Sequence, residues 1–215
     1  MNAMVNLRID GKEIQAPEGR SLLQVCLEND IYVPNLCWLA EMDEPVASCR
    51  LCFVEIDGRD RPVSSCAVQA AQGLVVRTDT SEVRALQRSA LQLLLSVHDL
   101  DCAHCPANKQ CELQRIARFL GVALKPKRLE KTVKNLDFDE GHPVLSIDHD
   151  KCVLCGRCVW ICRQSGYPIL TMARRGIETY VSTYGLADDP ETGCRGCLDC
   201  ARACPVGAIR AQESG

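Results

Sequence analysis

Aromatic residues are scarce in this 215-residue sequence, at 4% of positions, and neither sign of charge dominates, because the formal net charge is −3. That balance gives no electrostatic basis for nucleic-acid binding. The longest apolar run, residues 90–97, falls short of the roughly 18 residues that a membrane helix needs. The N-terminus has no apolar signal core. We therefore expect a cytoplasmic protein with no membrane insertion.

Nucleotide-binding motifs are also missing, since the sequence has neither G-x-G-x-x-G nor a P-loop. Cysteine, in contrast, is abundant, with 16 residues. Thiols stay reduced in the cytosol, where Cys-rich runs indicate metal binding. Fifteen of the 16 lie in four groups built around C-x2-C pairs. The remaining one, Cys26, lies on the apolar face of a predicted helix, and we interpret it as a small core residue.

Residues 1–80 predict a β-grasp-like order of hairpin, helix and further strands. The predicted elements are a strand through Val5, Leu7 and Ile9, an Asp10-Gly11 turn, a strand at 13–16, a helix with Ser21 and Gln24 as a capping box and Leu22, Leu23, Cys26 and Leu27 as its apolar face, and strands at 51–56 and 74–77.

Residues 81–121 predict a small helical unit, with apolar residues at helical spacing before His98 and a second helix over 112–120 that stops at Gly121. Residues 122–146 are a predicted connector whose first half is basic. We interpret it as a solvated surface strap, with a docking patch for an acidic partner as the alternative. Its basic residues are Lys125, Lys127, Arg128, Lys131 and Lys134.

Residues 147–215 contain the run C-x2-C-x2-C-x3-C twice. In bacterial ferredoxins the fourth Cys of each run binds the other cluster. Zinc sites have different spacing, usually two distant pairs. The predicted ligand sets are Cys152, Cys155, Cys158 and Cys204 for one cluster, and Cys194, Cys197, Cys200 and Cys162 for its partner.

The group Cys102, Cys105 and Cys111 has only three thiolates. His98, four positions before the first of them, is the favoured fourth ligand. His104 is the competing candidate, although it lies inside the C-x2-C loop, where side chains point away from the metal. His142 and His149 receive no ligand role.

The loosest group consists of Cys37, Cys49, Cys52 and Cys66. It has one tight pair and two outlying thiols, which suits a [2Fe-2S] cluster at a sheet edge. Its spacing differs from the plant-type ferredoxin pattern. Structural zinc is therefore an open alternative on spacing alone.

The order of the four groups resembles one iron–sulfur module. That module is shared by the small diaphorase subunit of NAD-reducing hydrogenases, the accessory region of [FeFe]-hydrogenases and the N-terminus of the large iron–sulfur subunit of complex I. Local runs are similar as well, in C-R-L-C at 49–52 and C-G-R-C-V at 155–159. The resemblance covers nearly the whole chain. It implies an α+β protein with domains at 1–80, 81–121 and 147–215, joined by the connector.

The resemblance also implies the cofactors: one [2Fe-2S] cluster at the Cys37 group, one [4Fe-4S] cluster at His98 and its three Cys, and two ferredoxin-type [4Fe-4S] clusters. It implies a non-catalytic electron-transfer subunit of a hetero-oligomer. One partner would be a flavoprotein with FMN and an NAD(P) site. The other would hold the terminal redox centre, first of all a hydrogenase. A subunit of this length, without further Cys motifs, is expected to be the diaphorase type.

Several alternatives stay open. The terminal module could be a formate dehydrogenase or an electron-bifurcating complex. The chain could be a fragment of an [FeFe]-hydrogenase or complex I subunit, or a stand-alone ferredoxin. A zinc-stabilised interaction protein is the alternative without electron transfer.

Overall fold

The computed structural model describes residues 3–125, 129–134, 136, 142–166, 168–184, 194 and 196–212. Two compact units divide the chain. The first comprises Met1–Gln92 with Leu120–Val122, and the second comprises Leu93–Phe119 with Ala123–Gly215. The predicted domain boundaries at 80, 121 and 146 stay a prediction. Parts of the predicted connector, including Lys127 and Arg128, lie outside the described residues.

The first unit is built on a five-stranded sheet. From one edge to the other its strands are β2 (Lys12–Pro17), β1 (Met4–Ile9), β5 (Val75–Arg77), β3 (Phe53–Ile56) and β4 (Val63–Ser64). The β1–β5 pair is parallel, and the other pairs are antiparallel. The hairpin, the helix and the further strands follow in the predicted β-grasp-like order, and β4 is a strand that was not predicted. The elements are β1 (Met4–Ile9), β2 (Lys12–Pro17), α1 (Leu22–Glu28), β3 (Phe53–Ile56), β4 (Val63–Ser64) and β5 (Val75–Arg77).

The predicted hairpin turn is confirmed, because Asp10 and Gly11 both have positive φ, at +48° and +80°. Two left-handed residues make the turn whose twist matches the flanking strands. The register that follows pairs Ile9 with Lys12. This register turns Val5, Leu7 and Ile9 to the buried face.

Helix α1 begins as predicted, with Ser21 Oγ accepting a hydrogen bond from the Gln24 backbone N–H at 3.2 Å. Only half of the capping box forms, because the Gln24 side chain donates to Glu28 Oε1. The predicted apolar face is buried under the sheet, except that Leu27 is partly buried and Val25 joins it. Packing of α1 on the sheet creates the core beside which the first thiol group lies.

In the second unit, β6 (Leu145–Ile147) and β9 (Ile209–Ala211) run antiparallel, with Leu145 opposite Ala211. A second hairpin, β7 with β8, lies between the two cysteine runs and was not predicted. Helix α2 begins in the first unit and ends in the second. The remaining elements are α2 (Ser81–Ser96), α3 (Glu112–Leu120), β6 (Leu145–Ile147), α4 (Arg157–Gln164), β7 (Thr171–Ala173), β8 (Tyr180–Ser182), α5 (Asp199–Ala203) and β9 (Ile209–Ala211).

The loop of the three-cysteine group packs against the turn that follows Cys204. The Glu112 N–H donates to the Pro205 carbonyl at 3.0 Å. Gly207 has φ +69°, and a Cβ there would lie 2.6 Å from the Ala107 Cβ. Glycine is therefore required both by its conformation and by the close approach of Ala107.

We predict that Gly207→Ala weakens the packing between this turn and Ala107. Gly166→Ala is the control, because Gly166 also has a left-handed backbone, with φ +82°, but a Cβ there would meet nothing within 4 Å. The control therefore strains the backbone without a steric clash. Overpacking costs about 1–3 kcal/mol beyond that strain. Visible absorption of the iron-loaded protein should bleach roughly tenfold faster in urea for Gly207→Ala than for Gly166→Ala. Equal bleaching rates would contradict this.

Candidate iron–sulfur sites

The first thiol group is buried beside the sheet, and all four of its thiols are 5% exposed or less. Cys37 Sγ and Cys49 Sγ lie 3.4 Å apart. Cys52 and Cys66 act on each other's pKa, so these two thiols are neighbours as well. Three loops thus bring together residues that lie up to 29 positions apart in the sequence. The predicted set Cys37, Cys49, Cys52 and Cys66 forms one cluster of side chains.

The turn that contains Cys66 is hydrogen-bonded to Cys52. Ser65 donates twice to the Cys52 carbonyl, from its backbone N–H at 2.9 Å and from its Oγ at 2.8 Å. In the loop before β3, Arg50 has φ +53°. This left-handed residue turns the backbone between Cys49 and Cys52. The C-R-L-C spacing therefore brings two thiols to one side of a tight loop.

Neighbouring thiols in this group shift each other's pKa. The hydrogen bond to Cys37, followed by burial, raises the pKa of Cys49 well above its ordinary value. The hydrogen bond to Cys52, followed by burial, raises the pKa of Cys66 in the same way. Four thiolates cannot coexist here without a compensating positive charge. Bound iron would supply that charge, so the residues fit a metal cluster.

His98 is 4% exposed, and its Nδ1 lies 2.7 Å from the Lys151 carbonyl oxygen. A carbonyl only accepts, so Nδ1 carries the proton and Nε2 presents its lone pair. Burial lowers the pKa of the imidazole, which keeps the ring neutral. This is the arrangement that a metal-binding His needs.

His104, the competing candidate, has an 84% exposed side chain, and its Nδ1 contacts the Asp101 carboxylate at 2.8 Å. Among the thiols of this group, Cys111 is buried, and Cys102 and Cys105 are half-buried. Burial raises the pKa of Cys111, and the nearby thiols Cys105 and Cys102 raise it further. Of the two candidates only His98 is buried, and its assignment as the fourth ligand of this group stays a prediction.

In the second unit, the fourth thiol of each cysteine run lies near thiols of the other run. Burial raises the pKa values of Cys152, Cys155 and Cys158, and the charge of Cys204 raises each of them further. Burial raises the pKa of Cys200 to about 12, and Cys162 is the next cause. These neighbouring thiols are the ones that the crossed ligand sets combine, and their binding of clusters stays a prediction.

The second crossed group surrounds a cavity of about 150 Å³. Its walls are apolar apart from the thiols and Ser165. Helix α4 contributes Cys162 from its last turn, and α5 contributes Cys200 from its first. The four thiols that line the cavity are Cys162, Cys194, Cys197 and Cys200.

Backbone N–H groups point at three of the sulfurs in this unit. Leu170 N–H donates to Cys162 Sγ at 3.5 Å, and Ala208 N–H donates to Cys204 Sγ at 3.2 Å. Gly196 N–H donates to Cys194 Sγ at 3.4 Å. Donors of this kind stabilise negative charge on sulfur, and they are one means by which proteins set cluster potentials.

Single-ion binding is a separate question. Among the described residues, no group of three or more His, Cys, Asp or Glu side chains could hold a metal ion. A cluster differs from a single ion because its ligands are divided among several irons, two on each iron of a [2Fe-2S] cluster and one on each iron of a [4Fe-4S] cluster.

Comparison with protein-family models gives three matches along the chain. Residues 2–81 match a 2Fe-2S iron–sulfur cluster binding domain, and residues 87–124 match the NADH-ubiquinone oxidoreductase-G iron–sulfur binding region. Residues 145–164, around the first cysteine run, match a 4Fe-4S binding domain.

A crystal structure of NAD+-reducing [NiFe]-hydrogenase in the H2-reduced state contains a similar chain, with a TM-score of 0.84 and 30% identity. The match covers 99% of this chain and 89% of that one. The chain belongs to the iron–sulfur subunit family of NAD-reducing hydrogenases. The predicted family and the α+β class, with its [2Fe-2S] and ferredoxin-like [4Fe-4S] domains, are confirmed.

Longer relatives of this iron–sulfur family are also similar. The NADPH-Fe(3+) oxidoreductase subunit alpha of Geobacter sulfurreducens is 31% identical over 96% of this chain and 24% of its own length. The NADP-reducing hydrogenase subunit HndD of Solidesulfovibrio fructosivorans is 32% identical over 98% of this chain and 37% of its own. The chain thus spans about a quarter to a third of the curated relatives it matches.

As for the membrane, no helix in the described part of this family member has the length and apolarity to cross a bilayer. Sequence reasoning missed the hydrogen bond between His98 and Lys151, whose partners are 53 positions apart. It also missed the N–H donors to sulfur, because backbone groups leave no residue signature.

Cys26 lies outside all four groups, as predicted. Its side chain is fully buried in the sheet core, and burial raises the pKa of its thiol to about 12. We predict that Cys26→Ala keeps the full iron content, whereas the matched variant Cys52→Ala loses about two iron atoms per chain. Iron analysis of the two purified variants checks this. Iron loss in Cys26→Ala would contradict it.

His98→Cys replaces a neutral ligand with an anionic thiolate. We predict that the reduction potential of that cluster falls by roughly 100 mV, in line with the lower potentials of all-thiolate centres relative to His-ligated Rieske centres. Redox titration followed by electron paramagnetic resonance (EPR) measures the shift. An unchanged potential, with the iron content intact, would show that His98 is not a ligand.

Proposed function

We propose that this chain is an electron-transfer subunit that carries one [2Fe-2S] and three [4Fe-4S] clusters. The observation that carries the proposal is the arrangement of the thiols in four groups, together with the match to nearly the full length of a chain of NAD+-reducing [NiFe]-hydrogenase. Such clusters accept and donate single electrons at potentials set by ligands, hydrogen bonds and burial.

The residues proposed to hold the clusters follow the four groups. The [2Fe-2S] cluster would be held by Cys37, Cys49, Cys52 and Cys66. The [4Fe-4S] clusters would be held by His98, Cys102, Cys105 and Cys111; by Cys152, Cys155, Cys158 and Cys204; and by Cys162, Cys194, Cys197 and Cys200.

The proposed partners are a flavoprotein subunit with FMN and an NAD(P) site, and a terminal redox subunit, with a hydrogenase as the first expectation. The names of the relatives support this, since they are subunits of NADPH- or NADP-linked oxidoreductases. The sequence has no nucleotide motif, so hydride chemistry is assigned to the flavoprotein. The chain's own role is to hold cofactors at fixed positions and to set their potentials.

A formate dehydrogenase or an electron-bifurcating complex as the terminal module remains an alternative. So does the same module within a longer [FeFe]-hydrogenase or complex I subunit, as the lengths of the relatives suggest. With any of these partners the chain would still transfer electrons between the flavoprotein and the terminal redox centre. The cytoplasmic location expected from the sequence stays a prediction.

Iron and acid-labile sulfide, measured on protein purified without oxygen, test the proposal. We expect about 14 iron atoms per chain, with little zinc. A count of about 12 iron atoms would indicate that the [2Fe-2S] cluster is absent, and a count of about 10 would indicate that one [4Fe-4S] cluster is absent. Zinc in place of iron would overturn the electron-transfer function and leave a structural protein.

A further inference from the structure

Lys134 belongs to the basic connector that was predicted to be a solvated surface strap, yet its ammonium group is not solvated. Its ammonium Nζ is buried, with no hydrogen-bond partner among the described residues. The backbone holds this position, because the Lys134 N–H donates to Asp150 Oδ1 at 2.8 Å. A buried ammonium without hydrogen bonds is costly. Its presence therefore calls for a nearby negative charge.

Two groups act on the charge of Lys134. They are the Asp150 carboxylate and the Cys152 thiol, which oppose the lowering of the Lys134 pKa by burial. The effect is mutual, since Lys134 lowers the pKa of Cys152 while burial raises it. The hydrogen bond from the Lys134 backbone to Asp150, two positions before Cys152, holds the lysine beside the first ferredoxin-type group, and its ammonium is buried there.

Two neighbouring lysines provide the contrast. Lys131 forms an ion pair with Asp99 at 2.5 Å, and Lys151 forms one with Asp148. Each of these cations is neutralised by a carboxylate in direct contact. The Lys134 ammonium has no hydrogen-bond partner among the described residues, so no carboxylate neutralises it by direct contact. Low local polarity strengthens the field of this ammonium and protects it from salt.

We propose that Lys134 raises the reduction potential of the cluster held by Cys152, Cys155, Cys158 and Cys204, by placing a fixed positive charge beside Cys152. The inference rests on the proposed function, because it requires a redox cluster at these thiols. One-electron reduction adds one negative charge, which the ammonium stabilises. The electron comes from a reduced flavin of the partner or, in the experiment, from dithionite. No bond or proton changes at Lys134.

Three variants of the full chain test this. Lys134→Met removes the charge and keeps an unbranched side chain, and Lys134→Arg keeps the charge. Lys131→Met is the matched control, since it removes a cation that Asp99 already neutralises. Iron and sulfide are counted for each protein, and the midpoint potentials are measured by EPR-monitored titration with dithionite, without oxygen.

In Lys134→Met we expect one [4Fe-4S] midpoint to become more negative, while the other midpoints stay at their wild-type values. Lys134→Arg should restore the shifted midpoint, and Lys131→Met should leave all of them unchanged. The shifted component should differ from the one that His98→Cys moves. Because the charge is buried, the difference should persist in 1 M salt, where the screening length is only about 3 Å.

An unchanged potential in Lys134→Met, with iron content intact, would overturn the inference and leave the proposed function standing. Loss of the cluster in Lys134→Met, whether or not Lys134→Arg retains it, would also overturn it, because Lys134 would then serve assembly rather than potential. Absence of iron from the wild-type protein would instead contradict the proposed function itself.

Discussion

The burial of thiols is the constraint on which the rest of this structure depends. Nine of the 15 grouped cysteines are buried, and only Cys197 is exposed. Burial raises the pKa of a thiol because the thiolate loses its hydration. Several such groups packed together would repel one another if ionised. A compensating metal removes that conflict, so the folded arrangement and the cofactor depend on each other.

The four thiol groups could be proposed from the sequence because ligand spacing is a local property. The repeated C-x2-C-x2-C-x3-C run predicted that Cys204 would join Cys152 rather than its own run, and Cys204 is among the groups that raise the pKa of Cys152. The ligand sets themselves stay a prediction. The hairpin at Asp10-Gly11 and the helix opening at Ser21 were predictable for the same reason. Each depends on backbone preferences of neighbouring residues.

Long-range contacts were beyond sequence reasoning. Lys134 lies among basic residues whose composition predicts solvent exposure, yet its ammonium is buried. Nothing in a single sequence indicates that the Lys151 carbonyl accepts a hydrogen bond from His98. Nor does it indicate that the close approach of Ala107 requires a glycine at position 207. The strand pair β7–β8 was missed because three-residue strands are too short to show an alternating pattern. Tertiary packing decided each of these features.

The predicted exchange of fourth thiols between the two runs would have a consequence for biosynthesis. Cys204 lies 52 positions after Cys152, its most distant neighbour within the group. A ribosome makes the chain from the N-terminus, so the Cys152 group has only three of its thiols until Cys204 emerges. The partner group receives Cys162 early but waits for its other three. Metal delivery to this pair would therefore be a late event, because the two predicted ligand sets are complete only once Cys200 and Cys204, four positions apart, have emerged.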